Sequence, residues 1–496
     1  MARANPTLGT GLAKTLLTKI MQSHTNGQAN VRFEPHATQS RESVLLHRKY
    51  IAQVLGRTEV SILEYLSTRL DQAMPSWCEN YYVFKAGVRQ LISEPWDAGI
   101  DTDLKHIAKL DYNEDVNLKT CEIAFDRTCQ LACSYCNPAF SSTWVKDIRT
   151  NGGYQGIKSD ARGHFIDDAP YAEPFDQDQF NPYVDAFWRW WPELSKELEE
   201  IRVTGGEPLM TPSIYKLFDW FKETDEPNAK KMRLAINSNL MAKEALLNKF
   251  IDATQHIDHF HVYTSCEAVG PQAEYIRDGL DWKIWTSQFE RFASEARYEG
   301  VHMMMTINAL CLDSITQFWD WCLDMKRKYG HHVPGISVNI LRFPSFQSPL
   351  TLPDHLRKMY HDEISDWLEA VRQRGERDSN GVELLQAWEQ DQISRLIEYL
   401  DVVKTPHRNT AEQDLIHHDF KLFYEQYDAR RGFNFRETFP RLVEWYDSIA
   451  VKDITDDEIN DIQSPDSTGI TNTLYAKRIV TEAGEDKDVE MKVSGS

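Results

Sequence analysis

The chain has 496 residues, 41% of them hydrophobic and 26% charged, a balance that excludes a disordered chain, a coiled-coil rod and a collagen-like fibre. Acidic residues outnumber basic ones, 76 to 55, and the net charge of −21 repels polyanions, so bulk nucleic acid and anionic membrane are disfavoured partners. No run of about 18 apolar residues occurs, so no membrane span is expected. The opening residues lack the apolar core and small-residue cleavage site of a secretory leader, and a cytoplasmic location is the expectation.

In chain order, the first stretch is polar and irregular. Residues 41–75 then show helical spacing through Val44, Leu45, Tyr50, Ile51, Val54 and Leu55. Residues 1–116 are read as a partly helical N-terminal region. From residue 117 the pattern becomes regular. Short β-rich runs at 121–125, 201–204, 232–237, 259–264, 301–307 and 336–341 alternate with helical patterns at 180–198, 212–223, 242–253, 281–298 and 314–328. Strand, helix, strand repeated this way predicts a parallel α/β sheet with right-handed crossovers. Six such units over 117–345 predict a partial (β/α)6 barrel rather than a closed eight-stranded one, with chemistry at the C-terminal strand ends. Residues 151–179, rich in Gly, Asp and Pro, interrupt the order and read as a mobile lid, a substrate loop or a surface excursion. Beyond 345 the strands stop. Helical patterns at 354–374, 382–402, 412–430 and 437–450 form a C-terminal extension over 346–454, and the polar, acidic stretch at 455–496 reads as a disordered tail.

Three of the eight cysteines fall in Cys129-Gln-Leu-Ala-Cys133-Ser-Tyr-Cys136, a Cx3Cx2C spacing. Chance produces such a triplet in about two per thousand chains of this cysteine content. It lies directly after the first predicted strand, at the chemically active end of the sheet. Three thiolates on one short loop suit three irons of a [4Fe–4S] cubane and leave the fourth iron open. The alternative is a zinc site, in a non-enzymatic interaction protein, but zinc usually closes with four ligands and no nearby His completes the set. Other strand ends carry Gly205-Gly206-Glu207-Pro208, Asn237-Ser238-Asn239 and Ser265-Cys266-Glu267. Taken alone, a Gly-Gly pair is ordinary turn chemistry.

Taken together, these residues resemble the radical SAM superfamily, whose signature is Cx3CxΦC with an aromatic such as Tyr135 in the Φ position. The resemblance implies a partial barrel and a cluster held by Cys129, Cys133 and Cys136. It also implies S-adenosylmethionine contacted by Tyr135, Gly205, Gly206, Glu207, Pro208, Asn237, Ser238, Ser265, Glu267 and Arg277. Glu207 stands where the family's GGEP motif binds the SAM amino group. Glu267 replaces the Asp of the family's Ser-x-Asp. Arg277, in Glu274-Tyr275-Ile276-Arg277-Asp278-Gly279, is placed to pair with the SAM carboxylate. Pro138 to Trp144 and Tyr427 to Phe435, with Phe439-Pro440, resemble the twitch domain-containing subgroup. No cysteine lies beyond Cys322, so one cluster is expected rather than several. The implied activity is reductive SAM cleavage and abstraction of a hydrogen from a peptide, protein or small-metabolite substrate, with RNA or a nucleotide as the alternative target. The implied electron source is a one-electron donor such as flavodoxin or ferredoxin.

Cys266 and Cys311 fall near predicted strand ends and are candidate hydrogen-atom donors to a substrate radical; the plainer reading is two small buried apolar side chains. His259 and His261 share a strand face and read as hydrogen-bonded rather than metal-bound. Met303, Met304 and Met305 read as core filler, and Trp188, Trp190 and Trp191 as helix anchors.

Overall fold

The computed structural model describes residues 117–161, 163–165, 180–406 and 410–451. The readings of residues 1–116, of the acidic tail and of 166–179 lie outside the described residues. All six predicted main strands form, as β1 (Thr120–Ala124), β3 (Glu200–Thr204), β4 (Arg233–Ser238), β5 (His259–Thr264), β7 (Gly300–Ile307) and β8 (Gly335–Ile340). They build one six-stranded sheet in the order β1-β3-β4-β5-β7-β8, with every pairing parallel. Parallel neighbours need long crossovers, and helices supply them. These are α1 (Ser142–Asn151) and α2 (Pro182–Leu194) before β3, α3 (Pro212–Glu223) before β4 and α4 (Glu244–Thr254) before β5. Then α5 (Gly270–Ile276) and α6 (Trp282–Glu295) precede β7, and α7 (Ile315–Tyr329) precedes β8.

Two further strands of two residues each, β2 (Ala132–Cys133) and β6 (Arg277–Asp278), pair antiparallel. Their length hides them from any periodicity.

Strands β3, β5 and β7 alternate in burial with period two. Phe260, Val262, Val301, Met303 and Met305 are buried on the face beneath the helices. There the Phe260 ring meets Phe250 of α4 at 5.7 Å, and Met305 Sδ accepts from Trp319 Nε1 of α7 at 3.2 Å. The opposite face carries Arg202, Asn237, His261, Tyr263, His302 and Met304, all partly exposed. Met304 therefore belongs to that polar face and is not core filler. Trp191 packs edge-on to Trp220 at 5.0 Å and Trp188 stacks on Phe125 at 5.9 Å, as helix anchors should. Trp190 is 39% exposed.

The C-terminal extension comprises α8 (Asp354–Arg374), α9 (Ala387–Leu400), α10 (Thr410–Arg431), α11 (Phe435–Thr438) and α12 (Val443–Ser448). The single helix expected over 437–450 is two, because Pro440 opens a 3-10 turn between them. The pattern at 382–402 becomes a helix only from Ala387. Gln386 and Glu389 form a capping box there, and the residues before it form a turn around Asp378.

Strand β8 ends the sheet, and an open edge exposes unpaired amides. Here α9 satisfies them. Ile336 N donates to Glu389 Oε1 and Val338 N to Gln392 Oε1, each at 2.6 Å. Glu389 is fully buried and also accepts from Lys326 Nζ at 2.8 Å, itself fully buried on α7. Part of the 151–179 segment is likewise packed rather than loose. Tyr154, Ile157 and Phe165 are buried, Tyr154 stacks on Phe423 of α10 at 4.9 Å, and the amides of Lys158 and Ser159 donate to the Asp419 carboxylate. Up to residue 165 this stretch is a docked strap, not a lid.

Removing one partner of a buried ion pair leaves an uncompensated charge. Lys326→Met is expected to lower stability by about 3–5 kcal/mol in chemical denaturation. Adding Glu389→Leu should recover only part of the loss, since the amides of Ile336 and Gln386 then lose their acceptor. A single-variant loss below about 1 kcal/mol would contradict this role.

Candidate functional site

The loop after β1 holds the three cysteines and has little regular structure of its own. Its shape comes from what touches it. From the first turn of α1, Thr143 Oγ1 donates to Cys129 O at 2.6 Å, Ser141 Oγ to Leu131 O at 2.7 Å and Trp144 Nε1 to Cys133 O at 3.0 Å. From the loop after β3, Gly206 N donates to Asp126 O at 3.3 Å and Glu207 N to Thr128 O at 2.6 Å. A Cβ at Gly205, where φ is +117°, would sit 2.7 Å from Asp126 O. One at Gly206 would sit 2.3 Å from Thr128 O. Both glycines are therefore required by the approach of one backbone to another. From α10, Tyr427 Oη donates to Ala132 O at 3.3 Å and to Tyr275 O at 3.1 Å. Arg431 lies over the Trp144 ring at 4.7 Å and pairs with Asp278 at 2.9 Å. The two segments that carry the subgroup resemblance thus pack against each other behind the cysteine loop.

The three thiols act on one another. Burial, then the neighbouring Cys133, pushes Cys129 up to about 12, and burial followed by Cys133 and Cys129 raises Cys136. Burial also raises Cys133, against the pull of Arg277. Such thiols resist ionising unaided, and a polycationic group among them removes that resistance. The sulfurs already receive N–H donors. Leu131 N lies 3.4 Å and Asn239 Nδ2 3.8 Å from Cys129 Sγ, and Arg277 Nη1 lies 3.7 Å from Cys133 Sγ. Among the described residues no three His, Cys, Asp or Glu side chains converge on one metal-ion position. A single zinc needs every sulfur about 2.3 Å from one point, whereas each thiolate of a cubane holds a different iron. Three mutually coupled thiols are the donor set that such a cubane would take.

Glu207 is buried beside this loop. Its Oε1 accepts from Leu209 N at 3.1 Å and Ser238 Oγ at 2.8 Å, and its Oε2 accepts from Asn239 N at 2.7 Å. A carboxylate oxygen takes two donors, so Oε2 keeps one open acceptor position. Burial outweighs these hydrogen bonds and lifts Glu207 to about 7. Pro208 is buried at the start of the following 3-10 turn. At the end of β4, Asn237 Nδ2 donates to Met304 Sδ at 3.7 Å, and its buried Oδ1 has no partner among the described residues. Ser265 is half-buried just beyond β5.

Glu267 and Arg277 face each other, at 3.1 Å from Nε to Oε1 and 2.5 Å from Nη2 to Oε2. Tyr135 Oη also donates to Glu267 Oε1, at 3.2 Å. Cys266 and Cys311 are fully buried. Their thiols donate to Ala268 O at 3.4 Å and Asn308 O at 3.2 Å, and Cys311 sits on a 3-10 turn beyond β7 rather than at the strand end itself. His261 Nδ1 and His302 Nε2 are 3.0 Å apart, and His259 pairs with Glu299, so these histidines are hydrogen-bonded to side chains.

Sequence reading named Asn239 in a strand-end motif but gave it no site role, and it bridges Glu207, Cys129 and Gln130. Sequence reading missed the row Arg202, Tyr263 and His302, in which Arg202 lies 4.4 Å over the Tyr263 ring and Tyr263 stacks on His302 at 4.6 Å. The period-two alternation of β3, β5 and β7 was the available signal for that row.

No protein-family model and no curated protein sequence matches the chain. Two solved structures overlap with it. Streptococcus suis SuiB has 15% identity and a TM-score of 0.29, over 59% of this chain and 55% of that one. The same protein bound to S-adenosylmethionine has 12% identity and a TM-score of 0.31, over 68% and 65%. The chain thus spans just over half to about two thirds of the length of those structures.

The folded chain binds the Glu207 proton more tightly than an unfolded chain does, whose ordinary value is 4.5. Protonation therefore favours folding. The contribution is complete below about pH 4.5 and is lost as pH rises through about 7, a swing of about 3 kcal/mol. Glu207→Gln should gain about that much stability relative to the parent between pH 4 and pH 8. A difference that stays flat across that range would rule out the buried carboxylate.

Proposed function

We propose that the chain is a radical SAM enzyme that holds one [4Fe–4S] cluster on Cys129, Cys133 and Cys136 and acts on a peptide, protein or small metabolite. The six-stranded sheet is then an open (β/α)6 barrel with the polar face as its lumen. The observation that carries the reading is the docking of the Gly205-Gly206-Glu207 loop on the backbone of the cysteine loop. It sets a buried carboxylate with one open acceptor position beside three coupled thiols. When bound, such a cluster would supply the one-electron reduction of the SAM sulfonium that opens hydrogen abstraction from the substrate.

The chain's own part is to bind, orient and exclude water. Glu207 Oε2 offers its free lone pair to the SAM ammonium, and Ser238 and the Asn239 amide hold the carboxylate in place. Burial of the site strengthens that contact. Asn237 Oδ1, buried and without a partner among the described residues, is an acceptor available for a ligand hydroxyl or amine. The net charge of −21 favours a substrate without a phosphate backbone over RNA. The electron comes from a flavodoxin- or ferredoxin-like donor. Among the described residues no helix is long and apolar enough to cross a membrane.

Anaerobic reconstitution should load about four irons per chain, and the triple cysteine-to-alanine variant should load none. Iron retained by the triple variant, or SAM cleavage without the cysteines, would refute the assignment. Glu207→Gln should keep the cluster and weaken SAM binding by about 1.5–3 kcal/mol in titration. In the parent, affinity should climb as pH passes upward through about 7, where Glu207 ionises, and the variant should lack that climb.

A further inference from the structure

The Glu267–Arg277 pair has a fixed orientation. Arg277 opens β6 directly opposite Cys133 of β2, and the register is held by Ser134 N donating to Ile276 O at 2.7 Å. Both side chains are buried, Arg277 at 4% and Glu267 at 1% exposure. Glu267 also receives Tyr135 Oη at 3.2 Å and Thr306 N at 3.4 Å, in addition to Nε and Nη2 of Arg277. Its four acceptor positions are filled and its place is locked. A guanidinium is planar and rigid, so two pinned nitrogens fix the third. That third nitrogen, Nη1, points at Cys133 Sγ from 3.7 Å. The ion pair as a whole is neutral, but its cationic end faces the sulfur and its anionic end is turned away.

We propose that Arg277, positioned by Glu267, sets the reduction potential of the cluster through its hydrogen bond to Cys133 Sγ. The proposal rests on the cluster reading given under Proposed function. The step it governs is [4Fe–4S]2+ plus one electron giving [4Fe–4S]+, the electron coming from an external iron–sulfur or flavin donor. No proton or atom is transferred. The added electron increases negative charge on the ligating sulfurs, so an N–H donor and a positive charge at one of them stabilise the reduced form more than the oxidised one. Arg277 therefore raises the potential and brings the cluster within reach of its donor. The pair does not act by adding net charge, and this separates it from a plain counter-ion. Removing either member should move the potential, and in opposite directions.

The test is a redox titration followed by electron paramagnetic resonance on full-length, reconstituted protein without SAM, with iron analysis alongside. Arg277→Gln, at about four irons per chain, should lose at least tenfold in the equilibrium constant for reduction, a fall of about 59 mV for a one-electron couple. Glu267→Gln leaves the cation unopposed and should raise the potential. Arg277→Lys keeps the charge but loses the fork, and should fall between the parent and Arg277→Gln. Unchanged potential in a fully loaded Arg277→Gln or Arg277→Lys would overturn the proposal. So would shifts of the same sign in the Arg277→Gln and Glu267→Gln variants. If neither Arg277 variant can hold iron, the residue builds the site rather than tunes it, and the proposal fails in that way too. A parent protein that binds no iron would instead refute the cluster reading itself.

Discussion

The site depends on one close contact, the backbone of Asp126 to Thr128 lying on Gly205 and Gly206. Two loops from neighbouring strands meet there with no side chain between them. Any Cβ would force them apart, since the atoms it would meet are backbone oxygens at 2.3 and 2.7 Å and cannot rotate away. The contact places Glu207 next to the cysteine loop. Through Glu207, Ser238 and Asn239 it also couples the ends of β3 and β4 into one unit. Register in the sheet transmits this placement, because β1, β3 and β4 are bonded neighbours in that order.

The second constraint is the C-terminal extension. The cysteine loop would be an exposed excursion if α10 did not cover it. Tyr427 binds the loop's own carbonyl at Ala132 and the neighbouring one at Tyr275. Around it Trp144, Tyr154, Phe165 and Phe423 form one aromatic cluster with ring centroids 4.9 to 6.3 Å apart. Rings of this size bury large apolar areas and leave little room for alternative packings. At the other end of the sheet α9 closes the edge of β8 with side-chain acceptors. The sheet thus ends at six strands without an open edge at β8.

The polar face of the sheet has a different character. His261 and His302 share one hydrogen bond, and both are held below their ordinary range, His302 at about 4, first by burial and then by each other or by nearby cations. Near neutral pH both rings are therefore neutral. The fixed charges on this face include Arg202 and Arg233, which share the Glu200 carboxylate. That face presents stacked rings and paired charges.

The order of strands and helices was legible in the sequence because each element carries its own period. His259–Thr264, Pro212–Glu223 and Asp354–Arg374 match the pattern at both ends. The position of the cysteine triplet after β1 was legible for the same reason. Local pattern could not show what Arg277 faces, which acceptor position Glu207 keeps open, or that Tyr427 props the loop. Cys133 and Arg277 are 144 residues apart, and Ala132 and Tyr427 are 295 apart. Strands of two residues, such as β2 and β6, have no period to read. Those choices were made when the chain closed on itself, because a buried donor or charge must find its partner wherever the fold brings one.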